Sequence, residues 1–432
     1  MDGLKGCRKD FPILSEKIDG MNPIYFDNAC MTLKPEAVLN EICDYYHHYP
    51  ACGGRSSHKF GKIVDKKINE SRDAIASLIN GNHDEIVFTK NCSEALNLLA
   101  RSIKFSNDSI VLTTDKEHNS NFIIWRVLQQ EKVIKKHIYT AADKVLETIE
   151  RLHKHGEKLS VVSLCWVSNL DGTFISEEEI IAINKGLKQF FPDALLILDA
   201  AQAVMHKRVD VKRLSADFLA FSIHKMMGPT GLGVLWGKKD KLEKLSPFMT
   251  GGGTVERLDS GNMPVYLDIP ERFEAGLQHY AGICGATAAA KYIAELDPTE
   301  ISLYECMLNK YATEKIKAFD CIEILGPEDA EKRSGILTFY FRKPATKHSD
   351  NEPDIDQKLS DRANIMIRKG KFCVYSWCSI HRNGFFKIMP GFDPVFYRAS
   401  FAAYNTKDEI DRFIEEMARI VDELSDLPDF PK

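Results

Sequence analysis

Residues 215–239 read SADFLAFSIHKMMGPTGLGVLWGKK, and a His-Lys pair, His224-Lys225, stands there between two apolar runs. A lysine held by core on both sides is a candidate nucleophile and base, because burial disfavours its ammonium form. Polar groups stand behind other apolar runs in the same way. EIVFT (85–89) is followed by Lys90-Asn91-Cys92-Ser93-Glu94, and IVLTTD by Glu117-His118-Asn119. VVSLCWVS ends in Ser168 and is followed by Asn169; LLILDA carries Asp199, with Gln202 just after it; FLAFS ends in Ser222.

Singly, each of these has an ordinary structural role. A lysine after an apolar run usually snorkels to the surface. An aspartate caps a helix, a histidine packs, and paired glycines such as those of GPTGLG make a turn. Jointly they supply an amine for a Schiff base, a carboxylate for a pyridinium nitrogen and a phosphate cradle, which is what pyridoxal phosphate asks of a protein. Ser93 reads as the N-cap of the helix after EIVFT, where free N–H groups favour a phosphate.

These residues need a scaffold. From about residue 85 to 240, apolar runs of four to seven residues alternate with amphipathic stretches such as SEALNLLARSI and SEEEIIAINKGLKQFF. Unalternated runs predict strands buried on both faces, and strand–helix alternation predicts a mostly parallel sheet with its ligand crevice at the strands' carboxyl ends. After about residue 285 come a long helix (GATAAAKYIAEL), a strand (GILTFYF, 335–341) and an amphipathic helix over 406–424. The predicted organisation is α/β: a large domain over 23–285, a smaller α+β domain over 286–432, and residues 1–22 packed with the smaller one. KKHIYTAADK reads as solvated surface, and RKPATKHSDNEPDID as a surface loop.

The bulk numbers agree. A chain of 432 residues with 44% hydrophobic and 28% charged residues and a net charge of −5 is ordinary globular material, long enough for two or three domains. It carries no basic block to track nucleic acid and no apolar run of about 18 residues to span a membrane. The eleven cysteines fall outside zinc spacings, so no metal is expected. The N-terminus lacks a secretory apolar core. These features predict a cytoplasmic protein with free thiols.

DFLAFSIHKMMGPTGLGVLWGK closely resembles the lysine motif of group II cysteine desulfurases and selenocysteine lyases, in the class V aminotransferase fold. YFDNACMTLKP (25–35), DEIVFTKNCSEALNLLA, EHNSNFIIW, VSNLDGT, LDAAQAVMHKRVDV, RFEAGLQHYAGICGA and YRASFAAYNTKDEID continue the likeness in order and spacing. It spans about residues 20–425 and is weakest over 300–365. The resemblance implies the pyridoxal-phosphate-dependent transferase fold of type I, with a mostly parallel seven-stranded sheet and a smaller α+β domain. It makes Lys225 the Schiff-base lysine and Asp199 the partner of the pyridine nitrogen. Gln202 and Asn169 would contact the ring hydroxyl, and His118 would stack on the ring. Cys92, Ser93, Ser222 and His224 would hold the phosphate. Arg398, with Asn169 and Arg55, would bind the substrate, a planar guanidinium being suited to a carboxylate. A homodimer is implied, with a partner loop reaching the phosphate, and so is a sulfur-acceptor protein.

The family chemistry needs a second nucleophile, a cysteine thiolate that takes the substrate sulfur as a persulfide and leaves alanine. In IRKGKFCVYSWC, Cys373 follows Arg368 by five residues, the family spacing, with Cys378 as a second candidate. Several positions depart from the family pattern. Lys371-Phe372 replaces two histidines, Asn91-Cys92-Ser93 replaces a Gly-Thr-Thr, Leu277 stands for a threonine, Ile223 for a small residue and Gly54 for a histidine. The leading expectation is a cysteine desulfurase. The alternatives are another class V enzyme (selenocysteine lyase, amino-acid lyase, epimerase or aminotransferase) and a non-catalytic homologue.

Overall fold

A computed structural model describes residues 3–342, 355–381, 383–384 and 395–425. Residues 343–354, most of the segment read as a surface loop, lie outside them. The chain forms two compact units. One comprises Lys34–Trp166 and Ile175–Glu295; the other comprises Met1–Leu33, Val167–Phe174 and Leu296–Lys432.

The first unit is built on seven strands: β1 (Ile86–Thr89), β2 (Ser109–Thr114), β3 (Lys136–Thr140), β4 (Lys158–Cys165), β5 (Leu195–Asp199), β6 (Phe218–Ser222) and β7 (Gly233–Gly237). They lie in the order β1-β7-β6-β5-β4-β2-β3. β7 is antiparallel to both its neighbours and every other pairing is parallel. The short link from β6 to β7 leaves no room for the crossover that a parallel pair needs. β1, β2, β6 and β7 are buried at every residue, which is why their sequences do not alternate.

The helices of this unit include, in chain order, α1 (Glu36–His48), α2 (Lys59–Leu78), α3 (Cys92–Ser102), α4 (Asn119–Gln130), α5 (Val145–Lys154) and α6 (Glu177–Phe190). Leu96 and Leu99 of α3 and Trp125 and Leu128 of α4 share one core with Val111, Ile197, Phe218 and Leu235 of the sheet. Each such side chain contributes about 1.5–3 kcal/mol on burial. A capping box, Ser176 with Glu179, opens α6.

KKHIYTAADK is largely exposed, as read, but it also holds a strand that the reading did not include. Lys136–Thr140 is β3, the edge strand beside β2. Its lysines face solvent and guard an unpaired edge, while His137 turns inward, with Nε2 2.8 Å from Thr113 Oγ1. Alternation at an edge is easily taken for surface polarity.

The second unit holds a four-stranded antiparallel sheet of β8 (Ile322–Ile324), β9 (Ile336–Phe341), β10 (Arg368–Lys369) and β11 (Tyr397–Ser400), ordered β8-β9-β11-β10. Ile24–Tyr25 pairs in parallel with Ile365–Met366, and Asp27 bridges to Ser400. Phe26, Leu308, Leu337, Phe339, Phe413 and Met417 form its core. Lys5 Nζ donates to the Leu296 carbonyl at 2.9 Å, and Arg8 pairs with Glu409 at 2.7 Å. Among the described residues no helix is long and apolar enough to cross a membrane.

Candidate active site

The strand ends of the first unit converge as the apolar runs predict. Asp199 closes β5 and is 3% exposed. Its Oδ1 accepts the Ala201 N–H at 3.0 Å and the Cys92 thiol at 3.4 Å; among the described residues neither bond uses Oδ2. Burial pushes the carboxyl up, against the Ala201 hydrogen bond and the charge of Lys225. Lys225 ends the tight turn Ile223–Lys225 directly after β6, within electrostatic reach of Asp199 and Cys92. Burial and the Asp199 carboxylate push the Cys92 thiol well up, so it stays protonated and donates. Gln202 is buried three residues beyond Asp199.

The start of α3 meets this group. The Cys92 N–H donates to Ser222 Oγ at 2.9 Å. The N-cap is Asn91 rather than Ser93: Asn91 Oδ1 accepts the Glu94 N–H at 2.9 Å, and Ser93, inside the first turn, places its Oγ 2.5 Å from Ser120 Oγ. Both residue types cap well, and the extended backbone of Asn91 decides between them. Gly233 makes the close approach of this turn possible, since a Cβ there would stand 2.5 Å from the Asn91 backbone. Gly228 likewise makes room for Ile223, whose Cγ2 would lie 2.3 Å from a Cβ at that position.

His118 caps α4, its Nδ1 accepting the Ser120 N–H at 3.2 Å. His224 is pushed down to about 4 by burial and by the charges of Lys225 and Lys34, so its imidazole is neutral at pH 7. Burial lowers Lys34 to about 8, and its Nζ lies 3.5 Å from the His224 carbonyl. Glu117, read only as a strand-end group, proves to be fully buried. Its Oε1 accepts from Thr114 Oγ1 at 2.6 Å and from the Cys165 N–H at 3.0 Å, and its Oε2 accepts from Asn121 Nδ2 at 2.6 Å. It thereby ties the start of α4 to β2 and β4. A glutamate beside a histidine gives no sign of such burial.

Arg55 lines a cavity of about 610 Å³ together with Arg72, Glu274, Gly253 and Tyr280. Arg72 and Glu274 form a buried bidentate pair at 2.9 and 2.6 Å, and Glu274 also accepts the Phe88 N–H at 2.7 Å.

The second unit carries Asn169, Arg398 and Cys373. Arg398 is 1% exposed. Its Nη1 donates to the Asn169 carbonyl at 2.7 Å and to Asn169 Oδ1 at 3.0 Å, and its Nη2 lies 3.3 Å from Asp27 Oδ1. Its buried Nε has no hydrogen-bond partner among the described residues. Burial lowers it to about 10, against the pull of Asp27. The Phe372 ring covers the guanidinium at 4.5 Å, and the Phe372 carbonyl accepts Asn169 Nδ2 at 2.7 Å. Phe372 and Cys373 have φ of 48° and 57°, two consecutive left-handed residues that lift the exposed Cys373 out of the chain's path. Cys378 instead packs against the apolar cluster of Leu170, Phe372 and Val374.

Asp27 and Cys30 were missed as site residues. Arg368 Nη1 donates to Cys30 Sγ at 2.6 Å and lies 3.5 Å from Asp27 Oδ2. Both follow the short strand Ile24–Tyr25, but what marks them as site residues is contact with arginines far along the chain.

These donors fit a phosphorylated pyridine aldehyde. A carboxylate has one oxygen engaged and one left over, an amine lies in its reach, and hydroxyls stand at a helix N-terminus. The chain matches the model of the aminotransferase class-V family over residues 24–413. It is 34% identical over 427 residues to a probable cysteine desulfurase of Streptomyces coelicolor, covering 96% of each chain. It is 34% identical over 421 residues to one of Pyrococcus abyssi, covering 96% of this chain and 97% of the relative. The apo structure of the cysteine desulfurase of Thermococcus onnurineus superposes with a TM-score of 0.83 at 31% identity, covering 98% of this chain and 99% of that one. The chain belongs to the class-V aminotransferase family, and within it to the cysteine desulfurases.

Proposed function

We propose that the protein is a pyridoxal-phosphate-dependent cysteine desulfurase that converts L-cysteine to L-alanine and takes up the sulfur as a persulfide on Cys373. The observation that carries this reading is the placement of Cys373. It is an exposed thiol, and the residue before it covers a buried arginine whose Nε has no hydrogen-bond partner among the described residues. When bound, the cofactor supplies an aldehyde that condenses with amines and a ring that withdraws electrons from Cα.

The residues of this chain do the rest. Asp199 would hold the ring nitrogen, and its negative charge would keep that nitrogen protonated. The start of α3, with Cys92, Ser93, Ser222 and His224, cradles the phosphate. His118 covers the ring face, and Gln202 and Asn169 hold the ring hydroxyl. Arg398 binds the substrate carboxylate through Nε and Nη2, with Arg55 as a second cation for the substrate. Lys225 carries the proton between Cα and solvent. The Cys373 thiolate attacks the substrate sulfur: the new S–S bond forms as the C–S bond breaks, and that electron pair leaves on the alanine carbon skeleton, which a proton then neutralises.

We also infer a homodimer that delivers sulfur to an acceptor protein in the cytoplasm. The exposed Leu258 and Met263 of one hairpin, with Leu277, support a second copy there. Holoprotein given L-cysteine and a reducing thiol should release equimolar alanine and sulfide. Cys373→Ala should lower sulfide release by more than about 10²-fold while cysteine still perturbs the cofactor's absorption. Perturbed absorption without alanine in the wild type would assign the site to another amino acid.

A further inference from the structure

Two thiols, not one, attend the arginines of the second unit. Arg368 Nη1 donates to Cys30 Sγ at 2.6 Å, and that is the one side-chain hydrogen bond of Cys30 among the described residues. Both Cys30 and Cys373 lie within electrostatic reach of the Arg368 guanidinium, and Cys30 also lies within reach of that of Arg398. Asp27 binds both arginines, at 3.5 and 3.3 Å, and so fixes the pair beside the sulfur. A guanidinium stabilises a thiolate or persulfide anion next to it. The two cysteines differ in shelter: Cys373 is exposed on a left-handed turn, and Cys30 is half-buried.

We propose that Cys30 is a second sulfur-carrying residue, which takes the outer sulfur from a persulfide on Cys373 and holds it beside Arg368. This rests on the desulfurase reading above. The Cys30 thiolate attacks the outer sulfur of Cys373–S–SH. A bond forms between Cys30 Sγ and that sulfur, the bond to Cys373 Sγ breaks, and Cys373 leaves as a thiolate. The proton stays on the transferred sulfur. One thiolate replaces another, so no oxidant or reductant enters. Cys373 is then free for a second substrate while the first sulfur waits, less exposed to solvent thiols.

The test uses wild-type holoenzyme and L-cysteine without added thiol. The reaction is quenched with an alkylating reagent and the peptides are mapped by mass spectrometry. An extra sulfur is expected on both the Cys30 and Cys373 peptides. Cys373→Ala should carry none on Cys30, and Cys30→Ala should form about half as much alanine before thiol is added. Extra sulfur confined to Cys373, with alanine formation in Cys30→Ala equal to wild type, would overturn the proposal and leave the desulfurase reading intact. Absence of both alanine and bound sulfur would overturn the two together. The wild-type peptide map decides the matter even if Cys30→Ala fails to fold.

Discussion

Arg368 and Arg398 stand directly opposite each other across β10 and β11, and one carboxylate, Asp27, answers both. Like charges opposed on adjacent strands repel. Arg398 cannot relieve this by turning to water, because it is buried. Asp27 belongs to the stretch that bridges to Ser400 at the end of β11, so the chain's N-terminal part brings the counter-charge to the sheet. Asp27→Asn keeps the shape and removes the charge. It should destabilise by roughly 3 kcal/mol, most of it from the uncompensated Arg398, since half-exposed Arg368 is screened. Adding Arg368→Gln should restore part of the loss, because it removes the opposed cation. Urea unfolding of the single and double variants measures this. A midpoint unchanged in Asp27→Asn would show that Asn169 alone sustains the buried guanidinium.

How much of this could be read beforehand follows from what each residue depends on. The buried strands were visible because β1, β6 and β7 have core on both faces, so their apolar runs are unbroken. Lys225, Asp199 and Ser222 were visible because they follow those runs immediately. β3 was not, since an edge strand alternates as a surface does. Asn91 and Ser93 are equal as caps until the backbone chooses. Asp27 and Cys30 acquire meaning only through Arg368 and Arg398, some 340 and 370 residues away. No local pattern encodes a contact at that range.

Cys92 offers a test of how Asp199 is held. Its thiol fastens Oδ1 and thereby leaves Oδ2 as the open acceptor. Cys92→Ala removes that donor from a buried carboxylate, a loss of about 1 kcal/mol. Cofactor affinity, titrated by the absorption of the bound form, should weaken about fivefold. The pH at which the cofactor's absorption changes should move as well. Cys92→Ser, which keeps a donor of similar size, should restore both. If Ala and Ser bind the cofactor as tightly as wild type, Cys92 only fills space.

Glu117 makes stability depend on pH in an unusual direction. Burial raises its carboxyl from 4.5 to about 7, against hydrogen bonds from Thr114, Cys165 and Asn121 and with a further push from Asp199. Between the two values the folded protein holds a proton that the unfolded chain has released. Stability from this group is therefore full below about pH 4.5 and falls as pH rises through 7, by about 3 kcal/mol in all. An ion-paired carboxylate behaves oppositely, so the two kinds separate by slope. Glu117→Gln deletes the titration. It leaves Asn121 Nδ2 facing an amide in place of its acceptor at 2.6 Å, so the variant should be less stable at pH 5. Relative to the variant, wild type should lose its advantage between pH 5 and 8. Urea midpoints across that range give the difference directly. Parallel curves for the two proteins would mean that Glu117 is charged throughout and that its hydrogen bonds outweigh its burial.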